Sequence, residues 1–255
     1  MVALVLAAPD VNATDLTARD VAQALFHAED GRPIDFSQTN LAGLDLSELN
    51  FKSARLAGAN LMGADLTGAN LTGADLTGAQ LDRTTLLRTD FTAAKLERAS
   101  ILRPSIYQSF EAEWNEAPKF TGANMAGAQL FGRFEYTDFS GADLKGATFT
   151  GRDARDEQTA LARVNLFSGK FTNANLEGAD LARAKLTFAK FTGANVRGAR
   201  FIDADLSRAD FSGADVAGAD FTGANLDETD FTGAKGFERA RGIDQALNIE
   251  RIIRK

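Results

Sequence analysis

From Leu161 to Phe231 every fifth residue is apolar: Leu161, Leu166, Phe171, Leu176, Leu181, Leu186, Phe191, Val196, Phe201, Leu206, Phe211, Val216, Phe221, Leu226 and Phe231. The residue two places before each centre is alanine without a break from Ala174 to Ala224. Between them stands mostly Asp or Asn, and small polar residues follow, often Thr-Gly or Ser-Gly. A period of five matches neither the 3.6 of a helix nor the 2 of a strand. A fixed short period means a repeat array, in which each unit packs only on its neighbours.

The spacing of the large residues suggests how such a chain closes on itself. If each five-residue unit is a short extended side followed by a corner, a centre and the residue two before it point the same way. Both can face inward while the other three positions stay polar. Phe171, Phe191, Phe211 and Phe231 fall twenty apart, as do Leu166, Leu186, Leu206 and Leu226. A twenty-residue, four-sided coil would stack each set in its own column. Alanine then follows from volume, because four large side chains already fill each coil. Asp and Asn before the centre can bond local backbone groups in the turns, so most of the acidic residues read as structural.

A first run of the same repeat has centres from Phe36 to Ile106, with Arg83, Arg88, Arg98 and Arg103 replacing the corner glycine late in the run. The period breaks over Tyr107–Pro118, resumes at Phe120, Met125 and Leu130, slips by one at Phe131 to Arg133, and breaks again over Thr150–Thr159. Nine coils at the spacing of neighbouring strands would make a rod about 45 Å long.

Helices are expected at both ends. Thr17 and Asp20 have the spacing of a capping-box variant, Leu16 and Val21 that of a hydrophobic staple, and Gly31 and Pro33 stop the helix. A second helix is expected over residues 236–255, with Ala246, Leu247, Ile249 and Ile253 as its apolar side. The expected organisation is a secretory-signal remnant over 1–13, an N-terminal capping helix in 14–33, the first run in 34–106, a loop excursion at 107–118, irregular repeats with a second excursion over 119–160, the long run in 161–235, and the C-terminal helix. The signal reading rests on the apolar stretch Val2–Ala8 and the small residue Ala13, although no basic segment precedes them. It favours export to the periplasm; without it the protein is cytoplasmic.

Composition excludes most chemistry. The chain has no cysteine and one histidine, His27, so thiolate sites, His triads and multi-His metal centres are out of reach. A net charge of −7 argues against direct nucleic-acid binding, and no apolar run is long enough for a membrane span. Asp210 and Asp230 lie one coil apart, but Lys190 and Lys170 share their column and no calcium-loop spacing is present. No catalytic residue, metal site or cofactor is expected.

Ala-Asn-Leu-Met-Gly, Ala-Asp-Leu-Thr-Gly and Ala-Asn-Leu-Thr-Gly over Ala59–Gly73 resemble the repeats of the pentapeptide repeat family. The resemblance covers about three quarters of the chain. It implies an all-β solenoid, a right-handed quadrilateral β-helix, here with helices capping both ends. One branch of that family, the quinolone-resistance proteins, consists of acidic rods that bind DNA gyrase and topoisomerase IV in imitation of duplex DNA and pair through their C-termini. The resemblance therefore implies two functions. The first is a non-enzymatic scaffold for an unknown protein partner, with a homodimer through the C-terminal helix. The alternative is a topoisomerase-binding DNA imitator. Export would exclude the second.

The best candidate binding residues are Tyr107, Phe110, Glu111, Glu113, Trp114 and Glu116, aromatic residues among acids outside a rigid scaffold. The acidic end of the long run, Asp203, Asp205, Asp210, Asp215, Asp220, Asp227, Glu228 and Asp230, reads mainly as repeat consensus. Lys170, Lys185 and Lys190 interrupt any continuous negative stripe.

Overall fold

A computed structural model of the chain describes residues 16–28, 33–107, 115–150 and 163–254. The five-residue period becomes a turn. The amide of each inward alanine donates to the carbonyl of the preceding centre, as from Ala64 to Leu61 at 2.9 Å and from Ala194 to Phe191 at 2.9 Å. The residue before each such alanine takes a positive φ, near +69° at Gly63 and +67° at Gly193. A left-handed residue at the third position is the mark of a type II turn. The arginines that replace glycine adopt it too, with φ of 59°, 54°, 56° and 53° at Arg83, Arg88, Arg98 and Arg103. The Asp or Asn before each centre tightens the turn from outside: Asp65 Oδ1 accepts from the Thr67 amide at 2.9 Å and Asn70 Oδ1 from the Thr72 amide at 3.0 Å.

Each turn hands the chain to a new side, and four turns bring it back one level along. Parallel bridges join residues twenty apart, for example Asn40 to Asn60 to Gln80 and Asn175 to Asn195 to Asp215. The Asp and Asn of the repeat mark the four sides. Side one follows Asp35, side two Asn40, side three Asp45 and side four Asn50. Along side two the bridges run Asn40, Asn60, Gln80, Ser100, Gln129, Thr148, Asp180, Arg200, Asp220 and Arg241, ten levels in all.

The interior is filled. Every described centre from Leu41 to Leu226 is buried, and so are the inward alanines from Ala54 to Ala224. Phe171, Phe191, Phe211 and Phe231 stack in one column on side four. Phe91, Phe120 and Phe139 extend it, with successive centroids 4.8, 5.2, 5.1, 4.8, 4.5 and 5.2 Å apart. Phe201 and Phe221 stack at 5.3 Å on side two and meet the main column edge-on. Leu166, Leu186, Leu206 and Leu226 line side three, fully buried.

Two interruptions and one deletion break the twenty-residue register. Asp90 pairs with Lys119 and Arg133 with Asn165, so the chain takes 29 and 32 residues for those turns of the coil, and Lys119 pairs with Asp138, which takes 19. At the deletion a turn is replaced by extended backbone: β1 (Ser100–Leu102) pairs in parallel with β2 (Gln129–Phe131). Gly132 follows with φ of +125°, and a Cβ there would lie 3.0 Å from the Cα of Arg103.

At the N-terminal end, α1 (Ala18–Phe26) is opened by a reciprocal capping box. The Thr17 hydroxyl accepts from the Asp20 amide at 3.2 Å, and the Asp20 carboxylate accepts from the Thr17 amide at 2.9 Å. Its buried Val21 joins the core cluster, with Leu16, Ala24 and Leu25 packed alongside, while Phe26 is 83% exposed. Residues 1–13, read as a signal remnant, lie outside the described residues.

The continuous helix expected over 236–255 is not formed. Phe237–Arg239, Ile243–Gln245 and Ile249–Arg251 are three single 3-10 turns, each entered through a left-handed residue, Gly236, Gly242 or Asn248. Bridges at Lys235, Arg241, Leu247 and Ile253 make this stretch one more coil with six-residue sides. The physical reason is the edge of the preceding coil. A helix would leave its amides and carbonyls without partners. The extra coil satisfies them, with Phe221 N donating to Arg241 O at 2.9 Å and Leu247 N to Ala224 O at 2.8 Å. Leu247 and Ile253, assigned to the apolar side of the expected helix, instead point outward, 57% and 42% exposed. Among the described residues no helix is long and apolar enough to cross a membrane.

Removing a ring from the middle of the stack leaves a hole between two neighbours that cannot move together without breaking the ladder. Phe191→Ala is expected to destabilise the protein by about 3–5 kcal/mol and Phe191→Leu by less than half as much, since Leu71 already serves in that column. Ala194→Leu should overpack the coil and cost about 1–3 kcal/mol. Urea unfolding followed by circular dichroism checks all three.

Candidate functional site

Both interruptions border side three. The first leaves after Ile106, at the corner between sides three and four, and the second re-enters before Asn165, at the corner between sides two and three. The level between them carries Arg133, Phe134, Glu135 and Tyr136. Phe110, Glu111, Glu113 and Trp114 of the expected binding loop lie outside the described residues. Of the other two, Tyr107 stands at the root of the first interruption. Glu116 stands at its end, where its main-chain carbonyl accepts from the Arg88 amide at 2.7 Å.

On side three the outward position two after each bridge residue is normally Ser or Thr, as at Ser47, Thr67, Thr187 and Ser207. At four successive levels between them it is Leu87, Tyr107, Glu135 and Phe167. Glu135 is only 5% exposed although it points away from the core. Its Oε1 accepts from Arg133 Nε at 3.0 Å and from Asn165 Nδ2 at 2.7 Å, and its Oε2 is buried without a partner among the described residues. The Tyr107 hydroxyl donates to the main-chain carbonyl of Glu135, and the Arg133 guanidinium lies 5.0 Å from the Tyr107 ring centroid. Burial raises the Tyr107 phenol far above its ordinary range, and the nearby Glu135 charge adds to the effect. Tyr107 therefore remains a donor throughout the accessible pH range.

From this cluster an aromatic line runs toward the C-terminus. Tyr136 meets Phe167 edge-on at 5.6 Å, and Phe167 meets Phe188 edge-on at 5.6 Å. Lys185 Nζ sits 5.8 Å from the centre of the Phe167 ring and the Arg208 guanidinium 5.5 Å from that of Phe188. Tyr136, Phe188 and Arg208 all occupy left-handed corners, with φ of 58°, 61° and 58°. The expected binding set omitted Glu135, Tyr136, Phe167, Lys185, Phe188 and Arg208. Glu135 and Phe167 depart from Ser or Thr, and Tyr136, Phe188 and Arg208 from Gly, at fixed offsets from their centres, whereas Lys185 departs from neither; that all of them share side three shows only when the levels are counted across the interruptions.

The acidic collar is spent on structure. Asp205 accepts from the Ser207 amide and hydroxyl and from Thr187, Asp210 from Ser212 and Thr192, and Asp220 from Thr222. Arg197, Arg200 and Arg208 pair with Asp215, Asp180 and Glu228 at 3.2, 2.8 and 2.8 Å, and Arg251 holds both Asp227 and Glu228. Burial pushes Asp205 and Asp210 upward, but the hydrogen bonds from Ser207 and Ser212, helped by Thr187 and Thr192 and by the charges of Lys185 and Lys190, outweigh it and leave both below the ordinary range. For Asp220 the Thr222 hydroxyl is the largest cause of the same lowering. Among the described residues no group of three or more His, Asp or Glu is placed to hold a metal ion.

The model of the family described as pentapeptide repeats matches residues 34–68, 69–101, 133–151, 161–198 and 199–235, in 8 copies. The chain belongs to that family. A search of curated proteins returns no significant match. Among solved structures, HetL, a pentapeptide repeat protein involved in heterocyst differentiation regulation from the cyanobacterium Nostoc sp. strain PCC 7120, superposes with a TM-score of 0.51. It is 23% identical over 91% of this chain and 95% of its own. That likeness concerns the fold alone. A trypsin-treated form of QnrB1, a plasmid-mediated fluoroquinolone resistance protein, aligns over 88% of this chain and 92% of its own at 18% identity and a TM-score of 0.40. A pentapeptide repeat protein of the Arabidopsis thaliana thylakoid lumen is 33% identical over 49% of this chain and 68% of its own, with a TM-score of 0.20.

Carboxylates whose pKa is lowered on folding stabilise the protein above their unfolded value of about 3.9, and that contribution is lost as pH falls through the lower folded values. The urea midpoint is therefore expected to stay level from about pH 7 to about pH 5 and to fall below about pH 4. Asp205→Asn with Asp210→Asn keeps the turn acceptors, as Asn195 and Asn225 do, and should make the acid decline shallower. An unchanged decline would assign acid sensitivity to other groups.

Proposed function

We propose that this protein is a non-enzymatic scaffold, a right-handed four-sided solenoid whose outer surface binds another protein at the interruptions on side three. One observation carries the reading. The repeat's Ser or Thr gives way to Leu87, Tyr107, Glu135 and Phe167 on the outside of an otherwise uniform coil, and both interruptions flank that place. Among the described residues the packed interior leaves no room for a substrate, and side three carries no nucleophile beside a base. A rigid column that positions irregular segments suits recognition, because segments anchored on a stiff frame lose less freedom on binding. Tyr107, Phe110, Glu111, Glu113, Trp114 and Glu116 are the proposed contact residues, with Trp114 as the anchor.

The end of the column supplies a second contact. Phe237, Ile243, Ile249 and Ile252 are only half buried on the last coil, and a second copy meeting it end to end would cover them. The topoisomerase-binding alternative needs a continuous run of free negative charge. The pairing of Asp180, Asp215, Asp227 and Glu228 with arginines removes much of it.

The test is cross-linking of the protein in extract of its own host, followed by reconstitution with the purified partner. Trp114→Ala with Glu113→Lys is expected to weaken the reconstituted complex at least tenfold, or about 1.4 kcal/mol. Retention of full affinity would overturn the assignment of the contact. Inhibition of purified gyrase supercoiling at low concentration, relieved by salt, would favour the alternative.

A further inference from the structure

We propose that the corner between sides three and four, from Tyr136 to Phe188, is a docking groove for an uncharged, proline-rich segment of a partner protein in the polyproline II conformation. This deepens the scaffold reading and rests on it for the kind of partner, though it names a surface outside the 107–118 segment.

At three successive levels this corner carries Tyr136, Ser168 and Phe188. Their levels are joined by main-chain bonds, from Tyr136 N to Phe167 O at 2.9 Å and from Ser168 N to Thr187 O at 3.0 Å. All three take a positive φ, 58°, 53° and 61°, so each is fixed in the turn that glycine serves elsewhere in the repeat. Two large rings therefore stand two levels apart with a small residue between them. Phe167, next to Ser168 in the chain, meets both rings edge-on at 5.6 Å, its plane turned 84° from that of Tyr136 and 78° from that of Phe188. Tyr136, Phe167 and Phe188 thus bound a notch over Ser168. Phe188 is exposed and the other three are half-buried, so the notch opens to solvent. The Arg208 guanidinium, 5.5 Å from the Phe188 centroid, comes from the level beyond and ends the groove on that side.

Spacing and charge select the occupant. Two levels span about 9.6 Å. Three residues of a polyproline II helix advance about 9.3 Å and return to the same face, so residues i and i+3 meet the two corner rings in register while the chain crosses Ser168. Two turns of an α-helix advance about 10.8 Å. A strand repeats its face about every 6.7 Å, and neither of these matches the rings. The charges around the groove cancel. Arg133 pairs with Glu135 at 3.0 Å and Arg208 with Glu228 at 2.8 Å, and Lys185 stands beside Asp205 in the ladder. A charged segment of either sign would lose hydration here without gaining a free counter-charge. A polyproline II segment brings no charge, and its carbonyls make no bonds within the segment. Tyr136 and Ser168 carry hydroxyls on the same corner that can donate to those carbonyls. Its stiffness lowers the entropy lost on docking.

The experiment uses the full chain and dansyl-labelled decaproline, with binding read by anisotropy. An alanine-rich helical peptide and an alternating valine–threonine peptide of the same length serve as comparison probes. Decaproline alone is expected to saturate, with a Kd below about 1 mM. Binding should be no weaker at about 300 mM salt than at about 50 mM, because no net charge takes part. Two variants test the groove. Phe188→Gly removes one wall and restores the residue that suits a left-handed corner, and Ser168→Arg fills the notch with a residue that the same corner already accepts at Arg208. Each is expected to weaken binding about tenfold, with thermal melts no lower than that of the unaltered chain. Failure of decaproline to saturate, loss of its binding as salt rises, equal binding by either variant, or equal binding of the helical or extended probe overturns the proposal. If Trp114→Ala with Glu113→Lys weakens the partner complex while decaproline fails to bind, this groove falls and the scaffold reading stands. If decaproline binds as expected and no partner complex forms, the groove stands and that contact falls.

Discussion

The fold depends on how little space a four-sided coil encloses. Each level admits four large side chains and four methyl groups, and the backbone ladder to the levels above and below forbids the walls from spreading. Volume therefore dictates sequence more strictly than in a sheet packed on a helix, where neighbours can slide to absorb a larger residue. The seven-ring column from Phe91 to Phe231 meets this limit by stacking rings nearly parallel at 4.5–5.2 Å, close to the rise from one level to the next. Corners obey a second limit. Each turn needs one residue at positive φ, and glycine meets it at no steric cost, whereas arginine, phenylalanine or tyrosine in the same place bears strain.

That strain makes the departures informative. Tyr136 and Phe188 hold large rings at corners where glycine would serve the turn better, and both stand on side three, where the interruptions leave and return. The same row replaces Ser and Thr with Leu87, Tyr107, Glu135 and Phe167. The fold explains the glycines, the alanines and most aspartates. It gives no reason for an outward carboxylate buried with one oxygen unpartnered among the described residues, or for rings that carry cations. Those features are the ones the scaffold proposal assigns to recognition, and they give an otherwise uniform rod a marked face.

Much of the column was legible in the sequence because a five-residue period admits few structures, and phenylalanines twenty apart state the number of sides. The C-terminal coil was misread for a physical reason. Ala246, Leu247, Ile249 and Ile253 fall at a helical spacing, whereas the residues packed on the column, Phe237, Ala240, Ile243, Ala246 and Ile252, recur at multiples of three, as 3-10 turns require. The deciding signal was Gly236, Gly242 and Asn248, six apart, each at a left-handed entry that a continuous helix could not contain. Gly242 leaves no alternative, since a Cβ there would fall 2.5 Å from the Thr222 amide nitrogen. The marked face was hidden by register. Tyr107, Glu135 and Phe167 each follow a repeat centre by one, but that they share one side emerges only when the levels are counted across both interruptions and the deletion, and the tryptophan in the first interruption draws attention away from them.

The stacking of levels can be measured directly with spin labels on side two. Asn60 and Asp220 are joined through Gln80, Ser100, Gln129, Thr148, Asp180 and Arg200 by seven inter-level steps. Labels at Asn60→Cys and Asp220→Cys should lie about 34 Å apart, and labels at Asn60→Cys and Thr148→Cys about 19 Å apart. Distance should follow the number of levels and ignore the extra residues of the interruptions. A distance that instead grew with the residues inserted between Ser105 and Lys119, or one well short of the expected span, would contradict the four-sided stack.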